Sequence, residues 1–226
     1  MAKNKKNQNE AIGLDVTLSK SEAFIEKNIK TIVIVLVAVL VVVIGFFLYR
    51  NHQQSRNEEA AAALYKSEQA FAAQKYEQAL NGSGSAELGF LKVIDAYSGT
   101  KSANMAKAYA ALCYYNLDKV DEAIAQLESF DMQDDETLSP TLMSALGHFY
   151  ASKGDAKKGA ETLVSAAKKA DNDALSPGFL KDAARLYESL GEKDKAVSLY
   201  NEIKDKYYRS QLAQSGEIDK YLEKLN

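Results

Sequence analysis

The chain has 226 residues, a formal net charge of −3 and a hydrophobic content of 46%, a size that holds one ordinary domain or two small ones. Its one cysteine, Cys113, excludes an internal disulfide framework and any C-x-x-C metal or redox pair. The residues after position 49 are net acidic with interspersed basic side chains, which excludes an electrostatic nucleic-acid surface.

Residues 1–30 carry Lys3, Lys5, Lys6, Lys20, Lys27 and Lys30 against Glu10, Asp15, Glu22 and Glu26, a net of +2. The Asn- and Lys-rich stretch before Ala11 reads as a disordered tail. Residues 31–49 then contain no charged side chain and consist almost entirely of Val, Ile, Leu and Phe. As a helix this run is about 28 Å long, close to the ~30 Å hydrocarbon core of a bilayer. A buried core helix of five turns would show a polar face, and this one shows none. A cleaved leader would be followed by a small-residue site, which Gly45, Phe46, Phe47, Leu48, Tyr49 and Arg50 do not offer. The run is therefore expected to remain as a transmembrane helix. Residues 50–226 carry 22 basic and 27 acidic side chains, so the flanking charge favours a cytoplasmic amino terminus and an exported bulk, a bias that Arg50 and Arg56 weaken.

Beyond Tyr49 strand alternation is absent. Residues 58–80 are rich in the helix formers Ala, Glu, Gln and Lys, and Asn81, Gly82, Ser83, Gly84 and Ser85 form a loop. No Lys-Ser or Lys-Thr pair follows these glycines, which excludes a phosphate-binding P-loop. Further along, Gly147, Tyr150, Gly154, Gly159 and Leu163 recur 37 residues later as Ala184, Tyr187, Gly191, Ala196 and Tyr200. A shift back by 36 gives Ala111, Tyr114, Asp118, Ala123 and Leu127. Pro140 and Pro177 are also 37 apart, each after a serine (Ser139, Ser176), which reads as Ser N-cap and Pro at the first helical position. The small residues let two helices approach, the large ones fill the gap left between them, and Gly154 and Gly191 fall where a left-handed turn joins the pair.

This pattern resembles the tetratricopeptide repeat, a helix-turn-helix unit, over residues 86–208. The resemblance implies an all-α fold: a single N-terminal transmembrane helix followed by a tetratricopeptide-type right-handed α-α superhelix with a C-terminal capping helix. The expected segments are a tail at 1–30, the span at 31–49, a soluble domain at 50–226, a degenerate repeat at about 58–99 whose small-to-aromatic helix is interrupted by the Gly-Ser loop, and repeats at about 104–137, 140–173 and 177–208. The cap at 210–225 carries Ile218, Tyr221, Leu222 and Leu225 on one stripe.

In such arrays the first helix of each pair lines a concave face that takes proteins or peptides. By the repeat register its outward positions are Met105, Ala108, Leu112, Tyr115 and Asn116, then Ser144, His148 and Ser152, then Lys181, Arg185 and Glu188. Lys181 and Arg185, four apart, could grip a peptide carboxylate or simply form a solvated helix face. His148 has no histidine partner at ligand spacing, and the connector Asp131, Asp134, Asp135 and Glu136 lacks the spacing of a calcium loop. No metal, no cofactor and no catalytic group is expected, and the chain does not read as an enzyme.

The layout of basic tail, membrane helix and exported repeats resembles the family of bacterial ancillary Sec-translocon subunits. That resemblance implies a single-pass protein of the bacterial inner membrane with its repeats in the periplasm, serving protein-protein interaction near the Sec translocon with a periplasmic chaperone or exported chains as partners. The alternative is a structural scaffold for envelope assembly or cell division.

Overall fold

The computed structural model describes residues 2–84 and 87–225, with side chains from Phe24 onward. Among these residues every regular element is helical. The chain divides into two compact units, residues 1–55 and 56–226.

The first unit belongs to helix α1, Ala2–Ala72. Helix thus extends back to Ala2, through the tail expected to be disordered; the run 2–30 contains no proline and a single glycine, Gly13, so nothing breaks the backbone ladder. The side chains of Lys3, Lys5, Lys6 and Lys20 lie outside the described residues. The most apolar stretch of α1 is wholly unburied: Ile34 is 68% exposed and Val42 70%. Large apolar side chains left in water forfeit roughly 1.5–3 kcal/mol each, and nothing among the described residues covers these.

The second unit begins in the last turns of α1 and continues through α2 (Tyr76–Asn81), α3 (Phe90–Ala96), α4 (Lys101–Asn116), α5 (Val120–Glu128), α6 (Leu138–Ser152), α7 (Ala156–Ala170), α8 (Ser176–Ser189), α9 (Lys193–Lys206), α10 (Gln211–Gln214) and α11 (Glu217–Leu225). Helices α4/α5, α6/α7 and α8/α9 form antiparallel pairs, each joined by the same turn. The N–H of Lys119, Asp155 and Glu192 bonds back to the carbonyl of Tyr114, Tyr150 and Tyr187, all at 2.9 Å. The residue before each donor, Asp118, Gly154 or Gly191, takes φ of 59°, 99° or 74°. This left-handed closure satisfies the last carbonyls of the first helix.

A fourth copy of that turn ends α1. Lys75 N–H bonds to Ala70 O at 2.9 Å and Gln74 takes φ 58°. Residues 56–72 are therefore the first helix of a complete pair. Gln74 and Ala79 precede Asp118 and Ala123 by 44 residues, whereas Phe90 and Val93 precede Leu127 and Phe130 by 37. Seven extra residues thus fall between Ala79 and Phe90, inside the second helix, which they split into α2 and α3. The Gly-Ser loop interrupts the second helix and not, as the sequence suggested, the first. Its ends close tightly: a Cβ on Gly82 would meet Glu87 O at 2.0 Å and one on Gly89 would meet Leu80 O at 2.2 Å. Ser67 hydroxyl, from the position held elsewhere by Ala111, Gly147 and Ala184, donates to Leu88 O at 2.6 Å and ties the loop down. Ser85 of this loop lies outside the described residues.

The cores follow the repeat. Leu127, Leu163 and Tyr200 are fully buried, as are Ala123 and Ala196 opposite Ala111 and Ala184. In the α6/α7 pair both small residues are glycine; a Cβ on Gly159 would lie 2.7 Å from Gly147 O. The serines before the prolines are not N-caps. Thr137 and Leu175 hold those positions, and Ser139 and Ser176 sit inside the first turn, fully buried. Ser139 Oγ instead accepts from Gln133 N at 2.9 Å, and Ser176 Oγ accepts from Asn172 N at 3.1 Å while donating to Ala167 O at 2.8 Å. Each serine thus fastens a connector to its helix, and a side chain four residues earlier orders the entry: Asp135 caps α6, accepting from Thr137 N and Ser139 N, and Asn172 Oδ1 accepts from Ala174 N and Leu175 N in the turn ahead of α8. The cap is two helices, α10 and α11, because Ser215 and Gly216 (φ 72°) break the ladder between them. Ile218 is 1% exposed and Tyr221 stacks on Tyr200, with ring centroids 5.1 Å apart.

Candidate interaction surface

The first helices of successive pairs bring the sequence-derived groove positions side by side, but not all on one open face. Ala108 and Ser144 are buried, Met105 and Leu112 are half-buried against the core, and Tyr115, Asn116, His148, Ser152 and Arg185 are exposed. The step of about 100° per residue separates these sets. One face of α4 carries both the exposed positions and the contact with α6, so its inner edge is covered.

Side chains stitch each first helix to the next. Tyr115 stacks on Phe149 of α6, with ring centroids 4.3 Å apart and planes 19° apart. His148 Nε2 lies 3.3 Å from Asp182 Oδ2 of α8. Lys181 Nζ lies 3.2 Å from Glu217 Oε1 of α11. Glu188 accepts from Tyr200 hydroxyl at 2.5 Å and from Lys224 Nζ at 3.1 Å, bonds that hold its carboxyl below the usual range against the opposing effect of burial. Asn116 Nδ2 turns back to Leu112 O at 2.7 Å. Of the predicted pair, Lys181 meets Glu217 of the cap helix and Arg185 stands exposed beside Glu188. Phe149, Asp182 and Glu217 were not singled out in the sequence, although each lies 34 to 36 residues after its partner, a spacing the repeat itself supplies.

The second helices carry a different set of polar bonds. Tyr150 hydroxyl donates to Glu128 of the preceding pair, and Lys158 Nζ sits 3.9 Å over the Tyr150 ring. The hydrogen bond from Tyr150 holds the Glu128 carboxyl low, and burial together with that carboxylate pushes the phenol up. One repeat later Lys195 lies 4.9 Å over Tyr187. The Tyr150–Glu128 bond ties one pair to the next, and the two lysine–ring contacts close the helices within a pair.

The connector with Asp131, Asp134, Asp135 and Glu136 is more than an exposed linker. Asn104 pins it, donating to Asp131 O at 2.9 Å and accepting from Asp131 N at 2.8 Å. The Ser139 hydroxyl and the first amides of α6 hold the Asp135 carboxyl down at about 2. Cys113 is buried, which pushes its thiol up to about 12 and leaves it unreactive. No group of three His, Cys, Asp or Glu among the described residues could hold a metal ion. At the far end of the stack, an open cavity of about 630 Å³ lies between the start of α8 and the connectors around α10, lined by Pro177, Gly178, Lys181, Arg209, Gln211 and Glu217 among others.

Two solved structures share this architecture: a putative kinesin light chain from Podosopora anserina with nearly identical TPR-like repeats, and a single-substitution variant of it. Each is 15% identical over 75% of this chain, with a TM-score of 0.51, and covers 93% or 94% of its own length. At that identity the likeness is one of fold. No curated protein matches the chain. Residues 22–144 match the family described as a tetratricopeptide repeat-like domain. That match takes in the apolar part of α1 and the first two helix pairs and covers more than half of the sequence, so the chain belongs to the tetratricopeptide repeat-like domain family.

Proposed function

We propose that this protein is a membrane-anchored adaptor that holds other proteins or peptides on the first-helix face of its repeats. Residues 31–49 cross the bacterial inner membrane with the amino terminus in the cytoplasm, and residues 50–226 stand in the periplasm near the Sec translocon. There they meet a periplasmic chaperone or exported chains. The observation that carries this reading is that the family match starts at residue 22, ahead of the wholly exposed apolar helix, so the anchor and the repeats belong to one unit of descent. The flanking charge supports the orientation, because Lys and Arg resist transfer across the membrane. A repeat face whose exposed positions change from aromatic at Tyr115 to polar at His148 to basic at Arg185 suits an extended polypeptide of mixed character. The protein acts by binding and has no catalytic step of its own.

Photo-crosslinking in intact membranes tests it. A photoreactive residue at position 115 or 148 should capture another protein, while one at position 157, exposed on α7, should capture little. Adducts absent from 115 and 148, or equal at all three positions, would refute the reading.

A further inference from the structure

We propose that the cavity beside α8 is a subsite for a peptide carboxylate, and that Glu217 is its built-in occupant. The inference rests on the peptide-binding reading above and names the chemistry of one end of that surface.

Lys181 is the starting point. Its side chain is only 25% exposed and its ammonium lies 3.2 Å from Glu217 Oε1. An ammonium at the edge of an open cavity attracts an anion, and here the fold supplies one from its own cap helix. The Lys181–Glu217 pair does not fill the space around it: the cavity of about 630 Å³ continues to Arg209 on its other wall. That arginine is exposed and leans on its neighbour Tyr208. Its Nε donates to Tyr208 hydroxyl at 3.0 Å and its guanidinium carbon lies 5.3 Å from the centre of that ring. The planar fork of a stacked arginine is matched to a carboxylate. A Cβ on Gly178 would meet nothing within 4 Å, so a peptide backbone has room along the α8 wall.

Charge points the same way. The charged lining residues are Lys181 and Arg209 against Asp173 and Glu217, a balanced set while Glu217 faces inward. When the Glu217 side chain swings out, the cavity is left with one uncompensated positive charge, complementary to a single incoming carboxylate. The swing need not lift the cap: the anchor of α11 is the next residue, Ile218, at 1% exposure, with Tyr221 on Tyr200 behind it. Binding is then an exchange of one carboxylate for another on Lys181. Arg185 does not line this cavity, which separates the site from the Lys181 and Arg185 grip that helical spacing suggests.

The test uses the full chain in detergent micelles and a fluorescein-labelled hexapeptide of alternating Ala and Glu, read by anisotropy at low salt. Saturable binding should weaken about tenfold or more in Lys181→Ala and in Arg209→Ala, stay within about twofold in Arg185→Ala, and tighten about threefold or more in Glu217→Gln, which removes the competing charge. Retained binding of the carboxyl-amidated peptide assigns the site to acidic side chains, and its loss assigns it to a chain terminus; either supports the subsite. Wild type and Glu217→Gln both failing to bind would overturn it. So would Lys181→Ala binding like wild type, or Arg185→Ala losing as much as Lys181→Ala. Because Glu217→Gln is nearly isosteric, its result stands even if Lys181→Ala misfolds. Loss of the subsite with crosslinks still forming at position 115 would leave the adaptor reading intact.

Discussion

Substituting Gly159 by alanine places one methyl group at the tightest point of the stack. An ideal Cβ there lies 2.7 Å from Gly147 O and 3.1 Å from both Ala151 N and Ala151 Cβ. Carbon–oxygen contacts settle at about 3.3 Å or more, so α6 and α7 must part by roughly 0.6 Å. Two of the three obstructing atoms are backbone, and no rotamer change relieves them. Overpacking of this kind costs about 1–3 kcal/mol. Exchanging Gly for Ala in a helix returns about 1 kcal/mol of propensity, which leaves a net loss of about 1–2 kcal/mol at the upper part of that range. For a domain of this size each kcal/mol moves the midpoint by about 2–4 °C, so the thermal midpoint followed by far-UV circular dichroism should fall by about 2–8 °C. Gly178→Ala is the internal control: it lies in the first turn of α8, its Cβ meets nothing within 4 Å, and the propensity gain should raise the midpoint by up to about 4 °C. If Gly159→Ala matches or exceeds wild type while Gly178→Ala rises, the close approach of α6 and α7 is not what seats this pair.

Three further outcomes follow from other parts of the fold. Asp118→Gly relieves a non-glycine residue at φ 59° and should stabilise by about 0.5–1 kcal/mol in urea unfolding, with the slope unchanged. Tyr200→Phe deletes the hydroxyl that reaches Glu188 from a fully buried ring and should cost about 1.5 kcal/mol by the same measurement. Asp135 has a carboxyl held low, so its contribution is present above the ordinary unfolded value near 3.9 and is lost as pH falls through about 2. The midpoint difference between wild type and Asp135→Ala should therefore be full at pH 7 and vanish on approaching pH 2; a difference independent of pH would contradict the cap.

The later repeats were legible because their packing is local and chemically narrow. A small residue at 111, 147 and 184, an aromatic three positions on, and Gly154 and Gly191 at the turn leave few alternatives at a spacing of 36 or 37. The first repeat hid the same geometry behind unhelpful letters. Ser67 stands at the small position, Ala70 at the aromatic one and Gln74 at the left-handed turn, and seven inserted residues shift the second helix out of register. A turn that costs a glutamine only about 1–2 kcal/mol can be imposed by the packing on either side of it. The first-helix face was legible as a register and illegible as a surface. Periodicity places Ala108, Ser144 and Lys181 on one line, yet the next helix covers the first two and the cap helix claims the third. Pairings such as Tyr115 with Phe149 depend on how far each helix pair rotates on its neighbour, which no single helix encodes.

The most direct test of the whole account is protease access in spheroplasts, read with antibodies against the two ends of the chain. An inner-membrane anchor at 31–49 with exported repeats predicts that protease added outside destroys the carboxyl-terminal epitope and leaves a small amino-terminal fragment protected. Protection of the carboxyl-terminal epitope, or release of the intact chain by an alkaline carbonate wash before digestion, would contradict it.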